Sequence, residues 1–514
     1  MRLTREHGRG AIAGVVAAGA GLSVSELLNG FAHLRVSPVE AVAESIIRLT
    51  PGSVIEFVIS HLGHQDKPLV IAMTLVGLLV ISAATGILAL WSRLAAEAVF
   101  AAMGAVLLTA VHSRLPSGTT RYLPALIGVL VAMLMLSILT DRAQAAAAPG
   151  PQGRPLPASV QATSRRSFLR LAGIVAASSV AVAVAGRALA HSRARVEAAR
   201  AALSRRFGTV PPVPGVSVGV DGVAPWDTPV SDFYRIDTAL AVPLVVPDDW
   251  QVKIHGMVDR EITLTYDQLL ARGLTRDWLT LCCVSNPVGG DLISNAYWAG
   301  VPIAPILAEA GPHPDADAVL SRSVDGWTAG TPLTALTDRR NALFAVAMNG
   351  QPLTPEHGFP VRMVVPGLYG YVSATKWVVD LQVTRFSDFS AFWTQRGWSP
   401  QGPVKTQSRI DVPRNQSSVS AGTVMVAGVA WAQHRGIRQV EVQVDDGPWA
   451  VCRIAADATI DCWRQWAFRW HATPGTHSIQ VRATDETGVT QTSQVAGVVP
   501  NGATGYDRIL VSVS

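Results

Sequence analysis

The chain has 514 residues, of which 49% are hydrophobic and only 15% charged, with a net charge of +5 and a mean hydropathy of +0.29. That length admits about two to four domains, and the concentration of apolar residues before residue 190 predicts a membrane part joined to a soluble part. The absence of a long basic run excludes a nucleic-acid footprint, and four cysteines are too few for a disulfide scaffold.

Arg2, Arg5 and Arg9 precede an apolar, Ala/Gly-rich run from Ala11 to Phe31, a charge pattern that favours a cytoplasmic N-terminus. A removable signal peptide is the alternative reading of that run. Ser37–Ile59 is amphipathic, is broken by Pro51-Gly52, and is expected at the interface. Three further spans follow, Pro68–Trp91, Leu94–Val111 and Tyr122–Thr140, giving about four spans in residues 1–140. Residues 141–167 read as a cytoplasmic linker rich in Ala, Pro and Gln. It ends in Ser164-Arg-Arg-Ser-Phe-Leu-Arg170, which resembles a twin-arginine export signal. Residues 168–190 then form a fifth span, an anchor that leaves the rest of the chain on the periplasmic or extracellular side of the cell membrane. His33, His61, His64 and His112 lie in loops or at span ends, so no haem is expected.

Ala194–Arg206 reads as a helix leading away from the bilayer, and Pro211–Pro225 as a loop. Val230-Ser-Asp-Phe-Tyr-Arg-Ile-Asp-Thr238 reads as a loop with anchoring aromatics. Trp250–Gly256 alternates like a half-buried strand, and Leu264–Leu270 is a short helix capped at Thr265. Asp277-Trp-Leu-Thr-Leu-Cys-Cys-Val-Ser-Asn286 is an apolar strand ending in two thiols, followed by turn chemistry over Asn286-Pro-Val-Gly-Gly290. A thiolate at a strand end is rigid yet reachable, and soft sulfur suits a transition metal. The plain alternative for either cysteine is burial as a small hydrophobe. Strand alternation puts Cys282 and Cys283 on opposite faces.

Ala304–Ala310 is a further short helix, and Ser321–Trp327 follows it. In Glu356–Trp377, the strand Val361–Val365 ends at Pro366-Gly367, and Gly370 frees the backbone. Successive N–H groups in such a turn make an anion nest, to which Arg362 adds a bidentate fork and Lys376 a point charge, both suited to phosphate. Strands interleaved with short helices predict an α+β domain over residues 205–400. From Val404 onward, short alternating strands separated by turns predict an antiparallel β-sandwich over 404–514. Cys452 and Cys462 flank a predicted hairpin there and could pair after export.

These segments resemble the sulfite oxidase family of molybdopterin-dependent oxidoreductases over residues 225–510. The resemblance rests on Cys283 and Asn286 in a Cys-x-x-Asn turn, on Trp298-Ala-Gly-Val-Pro302, and on the segment from His357 to Lys376. It implies molybdenum-molybdopterin as cofactor and Cys283 as both metal ligand and catalytic residue, with Cys282 a packing residue. It also implies cofactor contacts from Ser231, Tyr234, Arg235, Asp325, His357, Arg362, Ser373 and Lys376, and an immunoglobulin-like C-terminal domain that could form homodimers. The expected fold class is therefore a multi-domain chain, with an all-α transmembrane region, an α+β molybdopterin domain and an all-β sandwich.

Two departures bear on substrate. Sulfite-oxidising members carry an arginine pair after the ligand turn, where this chain has Pro287-Val288-Gly289, and a tyrosine where it has Val346. With Arg235 as the remaining catalytic cation, reduction of a sulfoxide or N-oxide is expected over oxidation of sulfite. No Cys-x-x-Cys-His site is present, so the electron partner is expected to be another protein or a quinone-linked component. The alternative from another class is a non-catalytic, membrane-anchored binding or assembly module that keeps the fold.

Overall fold

Runs of Ala, Leu, Val and Gly with almost no interior charge form the helices of the N-terminal region: Arg2–Phe31, Asp66–Leu88, Arg93–His112, Leu123–Ala145 and Ser167–Val182. The computed structural model describes residues 2–31, 42, 66–112, 122–145, 167–182, 193–239 and 242–514. It divides into one unit of residues 1–195 with 238–243 and a second of 196–237 with 244–514. In the first unit three stretches are long and apolar enough to cross a membrane: His7–Leu28, Arg93–Ala110 and Leu123–Gln144. Met73–Leu88 and Ser167–Val182 are shorter apolar stretches. Apart from Val42, the amphipathic Ser37–Ile59 segment lies outside the described residues, as does the Arg165-Arg166 pair.

Small residues let these helices touch along their backbones. A side chain at Gly14 would run into the Ser82 carbonyl and Gly86, and one at Gly21 into the Gly128 carbonyl and Ala132. Large apolar side chains face outward as well, with Met73, Leu94 and Leu130 all more than half exposed.

The second unit begins with two five-stranded sheets. One runs in the order Ile262–Thr265, Gln251–Gly256, Val378–Thr384, Ala318–Ser323, Thr328–Pro332. The other joins Thr275–Cys282, Ile293–Pro302, Leu343–Met348 and Gln351–Pro352, with Arg362–Val364 also paired to Leu343–Met348. Leu264 and Thr265 end a strand rather than opening a helix. The helix starts at Tyr266, because Thr265 and Gln268 form a reciprocal capping box. The predicted strand Val361–Val365 is shortened to Arg362–Val364.

Beyond residue 404 two more sheets form. Gln407–Val412, Gly422–Trp431, Arg464–Ala472 and Arg453–Ile454 make one, and Ser417–Val419, Asp507–Val513, Gly475–Asp485, Ile437–Val444 and Ala450–Val451 the other. Val426, Trp466, Val440, Ile479 and Val511, drawn from both sheets, share one core. Val429, Trp431 and Trp463 pack instead into the core that holds Trp226, Trp278 and Cys282. There the Trp463 indole N–H donates to the Trp226 carbonyl at 2.8 Å, and the Trp463 backbone N–H donates to the Thr280 hydroxyl at 2.9 Å. The pairing of Cys452 with Cys462 does not form. Both are free thiols, and they lie in two different cores.

Trp466 is fully buried, and its indole N–H has no partner among the described residues. Trp466→Ala should destabilise the C-terminal domain by about 3–5 kcal/mol through the cavity it leaves. Trp466→Phe, which also deletes an unsatisfied donor, should cost less; thermal unfolding of the three proteins checks the order.

Candidate active site

The strand Thr275–Cys282 delivers its thiols to a turn that closes on itself. The Cys283 N–H donates to the Leu292 carbonyl at 2.9 Å, and the Asn286 N–H to the Cys283 carbonyl at 3.1 Å. Asn286 Oδ1 accepts the Leu292 N–H at 2.9 Å. Glycine is required at 290, where a Cβ would sit 2.5 Å from Asn286 Oδ1. Burial raises the Cys283 thiol, while hydrogen bonds from Ser285 and the Val284 backbone oppose the rise by favouring a thiolate. Cys282 packs in the hydrophobic core and is held well up by burial, then by the charge of Cys283, with Arg409 opposing.

A wall of aromatic rings faces this turn. Phe233 stacks on Tyr234 at 5.4 Å and meets Trp298 and His357 edge-on, each at 5.6 Å. Burial and the nearby Cys283 and Cys282 hold the Tyr234 phenol well above its usual range, against the opposing charge of Arg362. A Cβ on Gly370 would lie 3.5 Å from the Tyr234 hydroxyl and 3.8 Å from the Cys282 carbonyl. The two sequence motifs therefore meet at Tyr234.

Cations gather beside it. Arg362 lies over the Trp298 ring at 5.2 Å and donates only to the carbonyls of His357, Met363 and Ala374, at 3.3–3.5 Å. No carboxylate among the described residues pairs with it. Burial pulls its pKa down to about 10. Lys376 Nζ pairs with Asp237 at 2.9 Å and donates to the Glu356 carbonyl at 2.9 Å, with burial pulling it down to about 8. Arg235 Nε shares the same Asp237 oxygen at 3.1 Å. His357 Nε2 lies 3.1 Å from the Val230 carbonyl, and its buried Nδ1 has no partner among the described residues. Burial, then Lys376 and Arg362, push it down to about 4.

The other predicted site residues are engaged locally. Ser231 is exposed and donates to Asp232 at 2.9 Å. Asp325 accepts the Trp327 N–H at 3.1 Å, and the Ser373 hydroxyl donates to the Tyr369 carbonyl at 2.9 Å. Sequence reasoning missed Asp237, although it sits two residues after Arg235 in a quoted segment. It also missed Arg409, whose position carries no motif.

The profile described as "Oxidoreductase molybdopterin binding domain" matches residues 239–393, and that described as "Mo-co oxidoreductase dimerisation domain" matches 401–511. The uncharacterized oxidoreductase YuiH of Bacillus subtilis is 34% identical over 153 residues, 30% of this chain and 74% of that protein. This chain belongs to the sulfite oxidase family of molybdopterin oxidoreductases. Human mitochondrial sulfite oxidase is 29% identical over 331 residues, which covers 54% of this enzyme and 60% of the human protein's length. Among solved structures, the sulfane dehydrogenase SoxCD of Paracoccus pantotrophus aligns with a TM-score of 0.49 at 21% identity, over 60% of this chain and 92% of that one. The enzyme's cofactor is molybdenum-molybdopterin. The residues fit it, because a buried guanidinium and an imidazole nitrogen that, among the described residues, lack a carboxylate and a partner respectively suit an anion that also carries hydrogen-bond donors.

The depressed pKa of His357 gives a pH test on cofactor-free protein. Its folded value lies near 4 and its unfolded value near 6.5, so protons prefer the unfolded chain between the two. Stability should be complete above pH 6.5 and should fall by about 3 kcal/mol as the pH drops to 4. His357→Asn should flatten that slope in acid-unfolding curves.

Proposed function

We propose that this enzyme is a multi-pass membrane protein whose catalytic domain faces the periplasm or cell exterior and reduces a small sulfoxide or N-oxide. The observation that carries the reading is the buried Cys283 turn, set against Tyr234 and beside a cation cluster that has one shared carboxylate, Asp237. Cys283 would ligate the metal. Arg362, Lys376 and His357 would hold the pterin phosphate, with Ser231, Tyr234, Asp325 and Ser373 contributing from the surrounding turns. When bound, the cofactor supplies oxygen-atom or electron-pair transfer.

The protein's own part is recognition. Arg235 spends its Nε on Asp237 and keeps further N–H groups to orient a substrate oxygen. Tyr234, kept protonated by burial, would donate a hydrogen bond to a substrate oxygen. Sulfite is a dianion near neutral pH and needs several fixed charges to outweigh its hydration. Val346 is fully buried in the strand Leu343–Met348 and offers no hydroxyl, and Pro287-Val288-Gly289 offers no charge. A neutral oxide suits that site better. The description of the C-terminal module as a dimerisation domain supports a homodimer, which would be built on an immunoglobulin-like sandwich, and electrons would come from another protein or a quinone-linked partner.

The outward-facing apolar side chains of the N-terminal helices support a lipid environment, since helices in water turn polar faces outward. The Arg165-Arg166 motif suits export of a domain folded around its cofactor.

Cys283→Ser should abolish oxide reduction and leave the fold of the metal-free protein intact. Undiminished turnover would overturn the assignment. Steady-state assays in both directions on one preparation test the substrate, and sulfite oxidation with kcat/KM above about 10⁵ M⁻¹s⁻¹ would reverse the preference. For topology, a cysteine placed at the exposed Ala202 should react with a membrane-impermeant maleimide in intact cells. Labelling only after lysis would put the domain inside.

A further inference from the structure

The turn that carries Cys283 is gripped from the C-terminal domain. Arg409, buried on the strand Gln407–Val412, donates from Nη1 to the Gly290 carbonyl at 2.8 Å. Its Nε pairs with Asp411 at 2.7 Å, and the other Asp411 oxygen accepts the Ala224 N–H at 2.9 Å. Asp507 adds a second grip. One of its oxygens accepts the Ile410 N–H at 2.8 Å, and the other lies where a Cβ on Gly289 would approach to 2.6 Å. Gly289 has φ of +74°, so both its conformation and this contact demand glycine.

Within the turn, Gly290 N–H donates only to the Pro287 carbonyl, and Pro287 and Asp291 are exposed. Among the described residues, Arg409 is the one side chain from outside the turn that hydrogen-bonds the backbone of residues 287–291. Its charge also reaches Cys282. A charged donor to a carbonyl is among the stronger hydrogen bonds, and its burial shields it from competing water.

We propose that Arg409 is a positioning residue. Through Gly290 it sets the register of the Cys283–Leu292 turn, and so the direction in which the Cys283 sulfur is presented. The C-terminal domain is then part of the active site and not only a surface for self-association. This rests on the reading of Cys283 as metal ligand.

The test compares full-length, cofactor-loaded enzyme in detergent with R409M, R409K, D411N and C283S. For R409M, kcat should fall about 10- to 100-fold with KM within about three-fold, as for groups that orient metal ligands. The Mo(V) paramagnetic resonance signal should shift or broaden at unchanged molybdenum content. Amide exchange over residues 284–292 should speed up by about ten-fold, the equivalent of one lost hydrogen bond. R409K keeps the charge and one donor, and should lie between R409M and the parent. D411N removes the anchor of Arg409 without touching the turn, and should give the same changes to a smaller extent. It decides the matter if R409M does not fold.

Parental exchange and a parental Mo(V) signal in whichever of R409M and D411N fold would overturn the positioning role. A parental Mo(V) signal in C283S would instead overturn the ligand assignment beneath it. The two failures are thus separable.

Discussion

A buried guanidinium set over an indole ring and bonded to carbonyl oxygens is the constraint on which the site depends. Arg362 donates long hydrogen bonds to three backbone carbonyls and, among the described residues, pairs with no carboxylate. Removing an unpaired charge from water costs several kcal/mol even after the surroundings relax. The nearby Asp237 is already divided between Arg235 and Lys376, and His357 is pushed toward its neutral form by burial and then by the charges of Lys376 and Arg362. An anionic group entering this pocket relieves all three strains at once. Binding of this kind would stabilise the native state by mass action and so link cofactor loading to folding.

Rigidity has to come from elsewhere, and much of it comes from the C-terminal domain. The Pro366–Tyr369 turn is tied to it by the Tyr369 N–H donating to the Gly402 carbonyl at 2.7 Å and the Val404 N–H donating to the Gly367 carbonyl at 3.0 Å. His434 packs on Gly367, where a Cβ would come within 2.7 Å of it. Trp226, which lies just ahead of the Val230–Thr238 segment, packs at a tilt against Trp278 at 4.6 Å, and its carbonyl accepts the Trp463 indole N–H. Both turns that meet at Tyr234 therefore have supports outside their own sheets. Catalytic groups lie on turns because turns leave backbone and side chains accessible, and here the neighbouring domain restores the precision that turns lack.

Helix packing in the first unit follows a different logic. Its closest backbone contacts run through glycine, alanine and serine, with Phe100, Leu136 and Leu139 also buried, while other large residues such as Met73, Leu94 and Leu130 face outward. In water that arrangement would waste the hydrophobic effect. In lipid it is the expected one, since tails solvate leucine well and close backbone approach supplies the attraction between helices.

How much of this was legible in the sequence depended on the range of the interaction involved. Cys283, Asn286, Arg362 and Lys376 could be picked out because turn glycines, strand alternation and phosphate-suited cations act over a few residues. Element boundaries were less secure. Leu264 reads equally well as the first turn of a helix, and only pairing with Val252 makes it strand. The fate of Cys452 and Cys462 was also out of reach, because their spacing along the chain says nothing about which core each enters. Asp237 as the shared counter-charge and Arg409 as the hold on Gly290 were decided by tertiary structure alone. Arg409 and Gly290 are 119 positions apart, and a hydrogen bond between a side chain and a distant carbonyl leaves no periodicity to read. The sequence by itself determined which residues could bind a metal and a phosphate. Only the fold decided which of them share a pocket, because charge balance and burial are properties of neighbours in space.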